Sequence, residues 1–536
     1  MNKSTAIQTT ISFKKTGYFN NIMVDYLDKN PKLRPFYQNF PDLKGFKNQI
    51  ELKEKTYNNL ARPDLVAALQ KQYKSVETSK KTKNNIDLLL NKSTFTVTTG
   101  HQLNLFTGPL YFLYKIITAI NLAKKLKSNF PDKDFVPVYW MATEDHDFEE
   151  INYFNFKGKK LQWICDFGTG VGRLNNEGLN SVFETFAQQL DNSKNANYLK
   201  DLFRKAYLEH NTLAEATFYL ANVLFKDYGL VIIDADRPDL KSLFKHTIKD
   251  ELLHKTCYNE VLNTTHKFKE LGYKVQVNPR EINLFYLTDN LRSRIVFEKD
   301  LFRVLDTDIS FTKEAILKEV DNHPERFSPN VLMRPLYQEI ILPNLCYIGG
   351  GGELAYWFEM KSYFEANKVP FPILLLRNSV LIYHSSQRKK LEKLDLTVTD
   401  LFLNQHKLFN KTVREISDIE IDFTQQKEDI QKIFSDLKTL SDKTDKSFTG
   451  AVKAQEHKQL KGLSVLEKRL LQAQKRKYKE LLNRVALIQD QLFPNKSLQE
   501  RTQNFSELYL EYGQNLIPEL VKNLDPLALE FSLIEF

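Results

Sequence analysis

His101, Asp145, His146 and Asp147 are the residues of this chain whose types best suit catalysis, and two short stretches carry them. The first, TGHQLNLFTGP from Thr99 to Pro109, places Gly100, His101, Gln102, Asn104, Thr107 and Gly108 in one loop of small or hydrogen-bonding residues. The second, TEDHDFEE from Thr143 to Glu150, packs five acids around a histidine. Burying such a cluster is costly unless its groups meet water, a ligand or a metal. A histidine among carboxylates suits general acid–base catalysis. Glu144, Asp145, His146, Asp147 and Asp234 brought together would equally suit a metal-dependent hydrolase. Further on, Gly349, Gly350, Gly351 and Gly352, followed by Glu353, let backbone N–H groups approach a phosphate or carboxylate. Arg334 with Gln338 on one helical segment, and Arg377 with Asn378 after the last strand, offer side chains for the same anions, arginine through bidentate contacts. Tyr111 and Lys115, at the start of the helix after the first loop, complete the candidates.

These residues need elements to hold them. Phe95 to Thr99 is a β-branched and aromatic run, and from Pro109, well placed as a first helical residue, apolar positions recur at helical spacing through Leu122. Phe135 to Met141, the VIID of Gly229 to Leu240, Leu345 to Ile348 and Pro370 to Leu376 are further apolar strands. Strands alternating with helices predict an α/β fold with a parallel sheet. Each polar cluster follows a strand's carboxyl end, where such sheets bind ligands, so one active site is expected along that edge.

Residues 153–220 and 260–330 interrupt the strand–helix alternation and are expected to be inserted segments, the first with β-like pieces at Leu161 to Phe167, the second with strands at Tyr273 to Val277, Leu284 to Thr288 and Arg294 to Phe297. Within residues 1–90 one helix is expected, near Pro63 to Tyr73. Residues 1–385 then form the core. From 386 to 500 the pattern becomes helical: Phe423, Ile430, Ile433, Leu437 and Leu440 make one apolar stripe, Ser441 to Gly450 a polar break, and Leu463 to Leu492 a second stripe interrupted at Lys477. This predicts an antiparallel coiled-coil arm, and a two-helix arm buries so little that a homodimer is expected. Residues 501–536 are expected to return to the core.

The chain has 536 residues, 27% of them charged, and a formal net charge of +9. Between Ser386 and Glu500, 23 Lys and Arg stand against 17 Asp and Glu without interleaved aromatic platforms, so the basic surplus marks a solvated helical face rather than a nucleic-acid surface. Met1 to Lys14 holds no long apolar run, and no later stretch approaches a membrane span, so neither leader nor membrane partner is expected. Cys165, Cys257 and Cys346 are far apart and lack metal or disulfide spacing, which fits a reducing cytoplasm. Cys346, beside the glycines, is expected to be core rather than a nucleophile.

TGHQLNLFTGPLY (99–111), PVYWMATEDHDFEEIN (137–152), VLMRPLYQEIILP (331–343), IGGGGELAYW (348–357) and YLEYG (509–513) resemble, in order and spacing, the cysteine ligase family of bacillithiol biosynthesis. The resemblance covers nearly the whole chain. It implies a Rossmann-like core with two inserted connective segments, a C-terminal coiled-coil dimer, and addition of L-cysteine to glucosaminyl-malate as the last step of bacillithiol formation. Because a carboxylate and an amine do not condense unaided, ATP is the implied activator, with Mg²⁺ as its companion. By position His101 would stabilise phosphate charge, as the histidines after the first strand do in nucleotidyl transferases, although no second histidine follows it and no KMSKS-like loop follows the last strand. A non-enzymatic coiled-coil dimer scaffold is the remaining reading.

Overall fold

The computed structural model describes residues 7–74, 76–165, 168–441, 443–444 and 446–536. Met1 to Ala6 of the leader expectation, Asp166 and Phe167 of a predicted strand, and Asp442 and Asp445 of the predicted break lie outside them. The chain forms two compact units, residues 1–14, 18–380 and 499–532 in one, residues 15–17, 381–498 and 533–536 in the other.

Five parallel strands form the centre of the first unit: β1 (Thr94–His101), β2 (Asp134–Met141), β3 (Val231–Asp234), β4 (Asn344–Gly349) and β5 (Ile373–Leu376). Their order is β5-β4-β1-β2-β3, the doubly wound arrangement, with its switch point where β1 meets β4. Every residue of β1 is buried, including four threonines, so their hydroxyls need partners. Thr98 and Thr96 donate to Asn344 Oδ1 at 2.8 and 3.2 Å, and Thr99 donates to the Ile348 carbonyl at 2.9 Å. These bonds tie β1 to β4 at the switch point.

The register aligns His101 with Met141 and Met141 with Asp234. The carboxyl ends of β1, β2 and β3 therefore finish level, as the positions of the polar clusters predict. Helix α1 (Tyr111–Asn129) follows the β1 loop and packs Ala119, Leu122, Ala123 and Leu126 into the same apolar core as Phe95, Val97, Ile348 and Leu375. Helix α2 (Arg334–Ile341) precedes β4, and α3 (Gly351–Trp357) follows it.

The first insertion is a hairpin, Tyr153–Phe156 with Lys159–Gln162, followed by helices Leu179–Gln188, Lys194–Tyr207 and Leu213–Phe225. The second is a five-stranded antiparallel sheet built from Leu284–Thr288, Leu291–Glu298, Leu301–Val304, Ser310–Phe311 and Phe327–Pro329. Tyr273 to Val277 forms no strand, because its backbone is engaged by side chains such as Glu359, whose Oε1 accepts the Gln276 N–H at 2.7 Å. Residues 7–90 hold more helix than predicted. Besides Ala61–Gln72, the segment Leu43–Thr56 forms a helix that buries Phe46 and Ile50 in the central core and carries the fully buried Lys53.

In the second unit, helices Thr424–Ser441 and Lys446–Lys477 run antiparallel. Lys427 pairs with Glu467 and Lys438 with Glu456, so moving up one helix moves down the other. The break between them is shorter than Ser441 to Gly450. The second stripe is divided at Tyr478, whose backbone leaves helical geometry before Lys479–Leu492 resumes, one residue after the interruption at Lys477.

Candidate functional site

A cavity of about 390 Å³ opens at the carboxyl ends of β1, β2 and β3, beside the switch point. Gly100, His101, Gln102, Tyr111, Lys115, Glu144, Asp145, Arg334 and Glu353 line it, and all nine are sequence candidates. Gly100 is required by a close approach: a Cβ there would lie 3.1 Å from the Tyr347 hydroxyl of β4.

His101 is buried, and its Nδ1 lies 2.7 Å from the Gln102 carbonyl. A carbonyl only accepts, so Nδ1 carries the proton. Burial, reinforced by the Lys115 ammonium, pushes the ring's pKa well below the usual histidine value. The neutral ring consequently presents a bare lone pair at Nε2, an atom with no partner. Tyr111 stacks on the imidazole at 5.4 Å and Phe112 meets it edge-on at 5.0 Å, fixing its plane. A neutral ring of this tautomer offers Nε2 as a proton acceptor.

Gln102 reaches across to β2's loop. Its side-chain amide donates to Asp145 Oδ2 at 2.9 Å and Glu150 Oε2 at 3.0 Å, gathering two carboxylates. Burial would raise the Asp145 pKa, but hydrogen bonds from His146 and Gln102 outweigh it and hold the carboxyl at about 2. Asp145 is thus an anion throughout the physiological range, a holder of cations rather than a base.

On the β4 side, Lys115 donates to the Gly100 carbonyl at 2.8 Å and pairs with Glu353, which accepts from the Tyr347 hydroxyl at 3.0 Å. Arg334 lies over Trp140 and Tyr347, 5.9 and 5.7 Å from the ring centroids, and donates to Gln338 Oε1 at 3.2 Å. Gln338 donates to Glu339, which is paired with the buried Lys53 at 3.1 Å. Gln338 is therefore a fully buried support for Arg334 and does not line the cavity.

Other candidates are placed elsewhere. His146 is 63% exposed and Asp147 is also exposed; neither lines the cavity, and both stand before the short helix Phe148–Ile151. Asn104, Thr107 and Gly108 do not line the cavity; Asn104 donates to the Glu150 carbonyl at 3.2 Å, and the turn packs Phe106 against the first insertion. There Phe106 is buried among Phe154, Phe186 and Phe203, and Asn504 Nδ2 donates to the Phe106 and Gly108 carbonyls. Asp234 accepts from Thr143 Oγ1 at 2.6 Å; burial and the neighbouring Asp236 raise its pKa to about 6. Gly349, Gly350, Gly351 and Gly352 do not line the cavity. Gly349 is needed instead for packing, since a Cβ would lie 3.1 Å from Leu354 and Tyr347. Arg377 pairs with the buried Glu500 at 2.8 Å, lies over Tyr111, and adds to the positive charge that lowers the His101 pKa; it does not line the cavity. Asn378 is consumed by Thr118 and the Asp525 carbonyl.

Glu144 closes the cavity floor against Lys241, which is fully buried and also donates to the Phe327 carbonyl at 2.8 Å. Burial raises the Glu144 pKa and Lys241 opposes that rise. Glu144 and Asp145 line the cavity, whereas His146 and Asp147 do not. Among the described residues no group of three or more His, Cys, Asp or Glu is placed to hold a metal ion.

Sequence reasoning missed Lys241 and Arg292, both cavity neighbours on inserted or short elements without motif, and Trp140 and Tyr347, which look like ordinary strand residues.

The bacillithiol biosynthesis BshC N-terminal Rossmann-like domain matches residues 7–378, and the BshC C-terminal coiled-coil domain matches residues 380–536. The chain belongs to the BshC family of bacillithiol biosynthesis. It is 56% identical over 524 residues to a protein of Flavobacterium johnsoniae, covering 98% of this chain and 99% of that one. It is 54% identical over 530 residues to one of Christiangramia forsetii, covering 98% of each. A Bacillus cereus relative is 28% identical over 530 residues, covering 94% and 95%. All three bear the name "Putative cysteine ligase BshC". The Rossmann-like parallel sheet and the coiled-coil arm of this family are the elements described above. No helix among the described residues is long and apolar enough to cross a membrane.

Proposed function

We propose that this protein is a cysteine ligase that joins the carboxyl group of L-cysteine to the amine of glucosaminyl-malate, the last step of bacillithiol biosynthesis. The observation that carries the reading is a division of labour inside one cavity: a neutral His101 with an unpartnered Nε2, an ionised Asp145 held beside Glu150, and the side chains of Lys115 and Arg334 lining the same space.

An amine arrives as an ammonium and attacks only after losing a proton. Asp145 and Glu150 attract and orient the ammonium. His101 Nε2 takes the proton as the new C–N bond forms, because its lone pair is free and its ring is clamped by Tyr111 and Phe112. Arg334 and Lys115 face the carboxyl being attacked and stabilise the negative charge that develops there. ATP, when bound, supplies the leaving group that makes the cysteine carboxyl reactive. The same two cations are suited to its phosphates, Arg334 because its guanidinium keeps N–H groups beyond the one used on Gln338.

Thermal unfolding with each substrate tests binding. A ligand at 100 times its dissociation constant adds about 2.7 kcal/mol to stability. Stabilisation by glucosaminyl-malate and by nucleotide is expected. The absence of any shift with cysteine, glucosaminyl-malate or ATP and Mg²⁺ would turn the reading toward the scaffold.

A further inference from the structure

Arg292 enters the cavity from the second insertion, on strand Leu291–Glu298, and no role has yet been given to it. Its guanidinium lies 3.8 Å from the Phe285 ring centroid, and its Nε is 3.4 Å from Ser328 Oγ. Its Nη1 is buried and has no acceptor. Carboxylates surround it, but each has a closer partner. Glu144 is held by Lys241, Asp145 by Gln102 and the His146 N–H, and Asp236 by both Nε and Nη2 of Arg173 at 2.8 and 2.9 Å. No carboxylate among the described residues lies within 4.0 Å of Arg292. A buried donor without an acceptor is rarely kept, and a guanidinium clamped on an aromatic face is oriented before any ligand arrives.

We propose that Arg292 is the specificity-determining residue of the cavity, binding a carboxylate of the substrate through its guanidinium fork. Resting on the ligase reading above, that group is a malyl carboxylate of glucosaminyl-malate. Arg377, the other arginine expected to serve this purpose, is neutralised by Glu500, and Arg334 lies on the β4 wall, where it faces the reacting carboxyl. The insertion thus recognises the malyl end while the sheet edge performs the chemistry.

Calorimetric titration of the unmodified chain, Arg292→Gln and Arg292→Lys with L-malate, glucosaminyl-malate and methyl glucosaminide tests this. Arg292→Gln is expected to weaken both carboxylate ligands by about 10²-fold, which is about 2.8 kcal/mol at 1.4 kcal/mol per tenfold. Arg292→Lys keeps the charge but loses the fork, and about tenfold weakening is expected. Methyl glucosaminide, which lacks carboxylates, should bind all three alike. Equal malate affinities, a loss shared by methyl glucosaminide, or failure of both carboxylate ligands to bind the unmodified chain would overturn the proposal. If Arg292→Gln does not fold, the Arg292→Lys comparison decides. Malate bound through Arg292 by a protein that makes no cysteine adduct would keep this site and remove the ligase. A working ligase indifferent to Arg292 would do the reverse.

Discussion

Replacing Lys241 by methionine should expose how the cavity floor is held. The Lys241 side chain is 0% exposed, Glu144 is 12% exposed, and the ammonium serves both the Glu144 carboxylate and the Phe327 carbonyl. Methionine keeps most of the volume and removes the charge. Breaking one side of a buried pair costs about 3–5 kcal/mol. The orphaned carbonyl adds part of the ~1–3 kcal/mol of an unsatisfied buried group, so a loss of about 4 kcal/mol is expected near pH 8. The sign of its pH dependence follows. Without Lys241, burial and Asp236 raise the Glu144 pKa unopposed by their main counterweight. Its folded pKa then lies still further above the unfolded value of about 4.3. Stability is fully present below the unfolded value and is lost as pH rises through the folded one. Urea unfolding at about pH 5 and pH 8 should therefore show a smaller loss at the lower pH. The double variant Lys241→Met/Glu144→Gln should recover most of it at pH 8. An equal loss at both pH values, with no recovery in the double variant, would refute the paired floor.

Asp234→Asn should stabilise the fold by about 2 kcal/mol near pH 8 and leave it unchanged below pH 4, because a raised carboxyl loses stability as pH climbs through its folded value of about 6. Urea midpoints across that range would show it, since asparagine can still accept from Thr143. His101→Phe and Asp145→Asn should each lower turnover by about 10² or more while circular dichroism stays native. Arg377→Met should lower stability by about 3 kcal/mol, and Arg377→Met/Glu500→Gln should regain most of that, because this pair is buried. Ile433, Leu437, Leu440, Val465 and Leu466 are exposed apolar residues on the arm and are the expected seam of a homodimer. Sedimentation is expected to show a dimer for the unmodified chain and a monomer for Ile433→Lys/Leu466→Lys.

The sheet was legible because apolar runs such as FVPVYWM and ILLL are buried on both sides, and that pattern survives any detail of the surroundings. The arm was legible for a similar reason, down to the interruption at Lys477. Candidates line the cavity where strand ends and the helices beside them converge on one sheet edge: His101 at the end of β1, Gln102 and Asp145 in the loops beyond β1 and β2, and Tyr111, Lys115, Arg334 and Glu353 on helices. Arg377 and Asn378 follow a strand too, but Glu500, Thr118 and Asp525, distant in sequence, claim them. His146 and Asp147 share a cluster with Asp145, yet they stand exposed just before a short helix and do not line the cavity. Four consecutive glycines suggested an anion nest, whereas close packing accounts for Gly349, and none of the four needs a positive φ. Arg292 was invisible because an insertion carries it, and nothing in LRSR distinguishes a cavity-facing arginine from a solvated one.

The most direct test of the central claim is mass-spectrometric detection of product from purified protein incubated with L-cysteine, glucosaminyl-malate, ATP and Mg²⁺. The expected result is an amide adduct with the mass of bacillithiol, dependent on both substrates and on ATP, and reduced by about 10² in His101→Phe. A folded protein that binds glucosaminyl-malate yet forms no adduct under any combination would contradict the account.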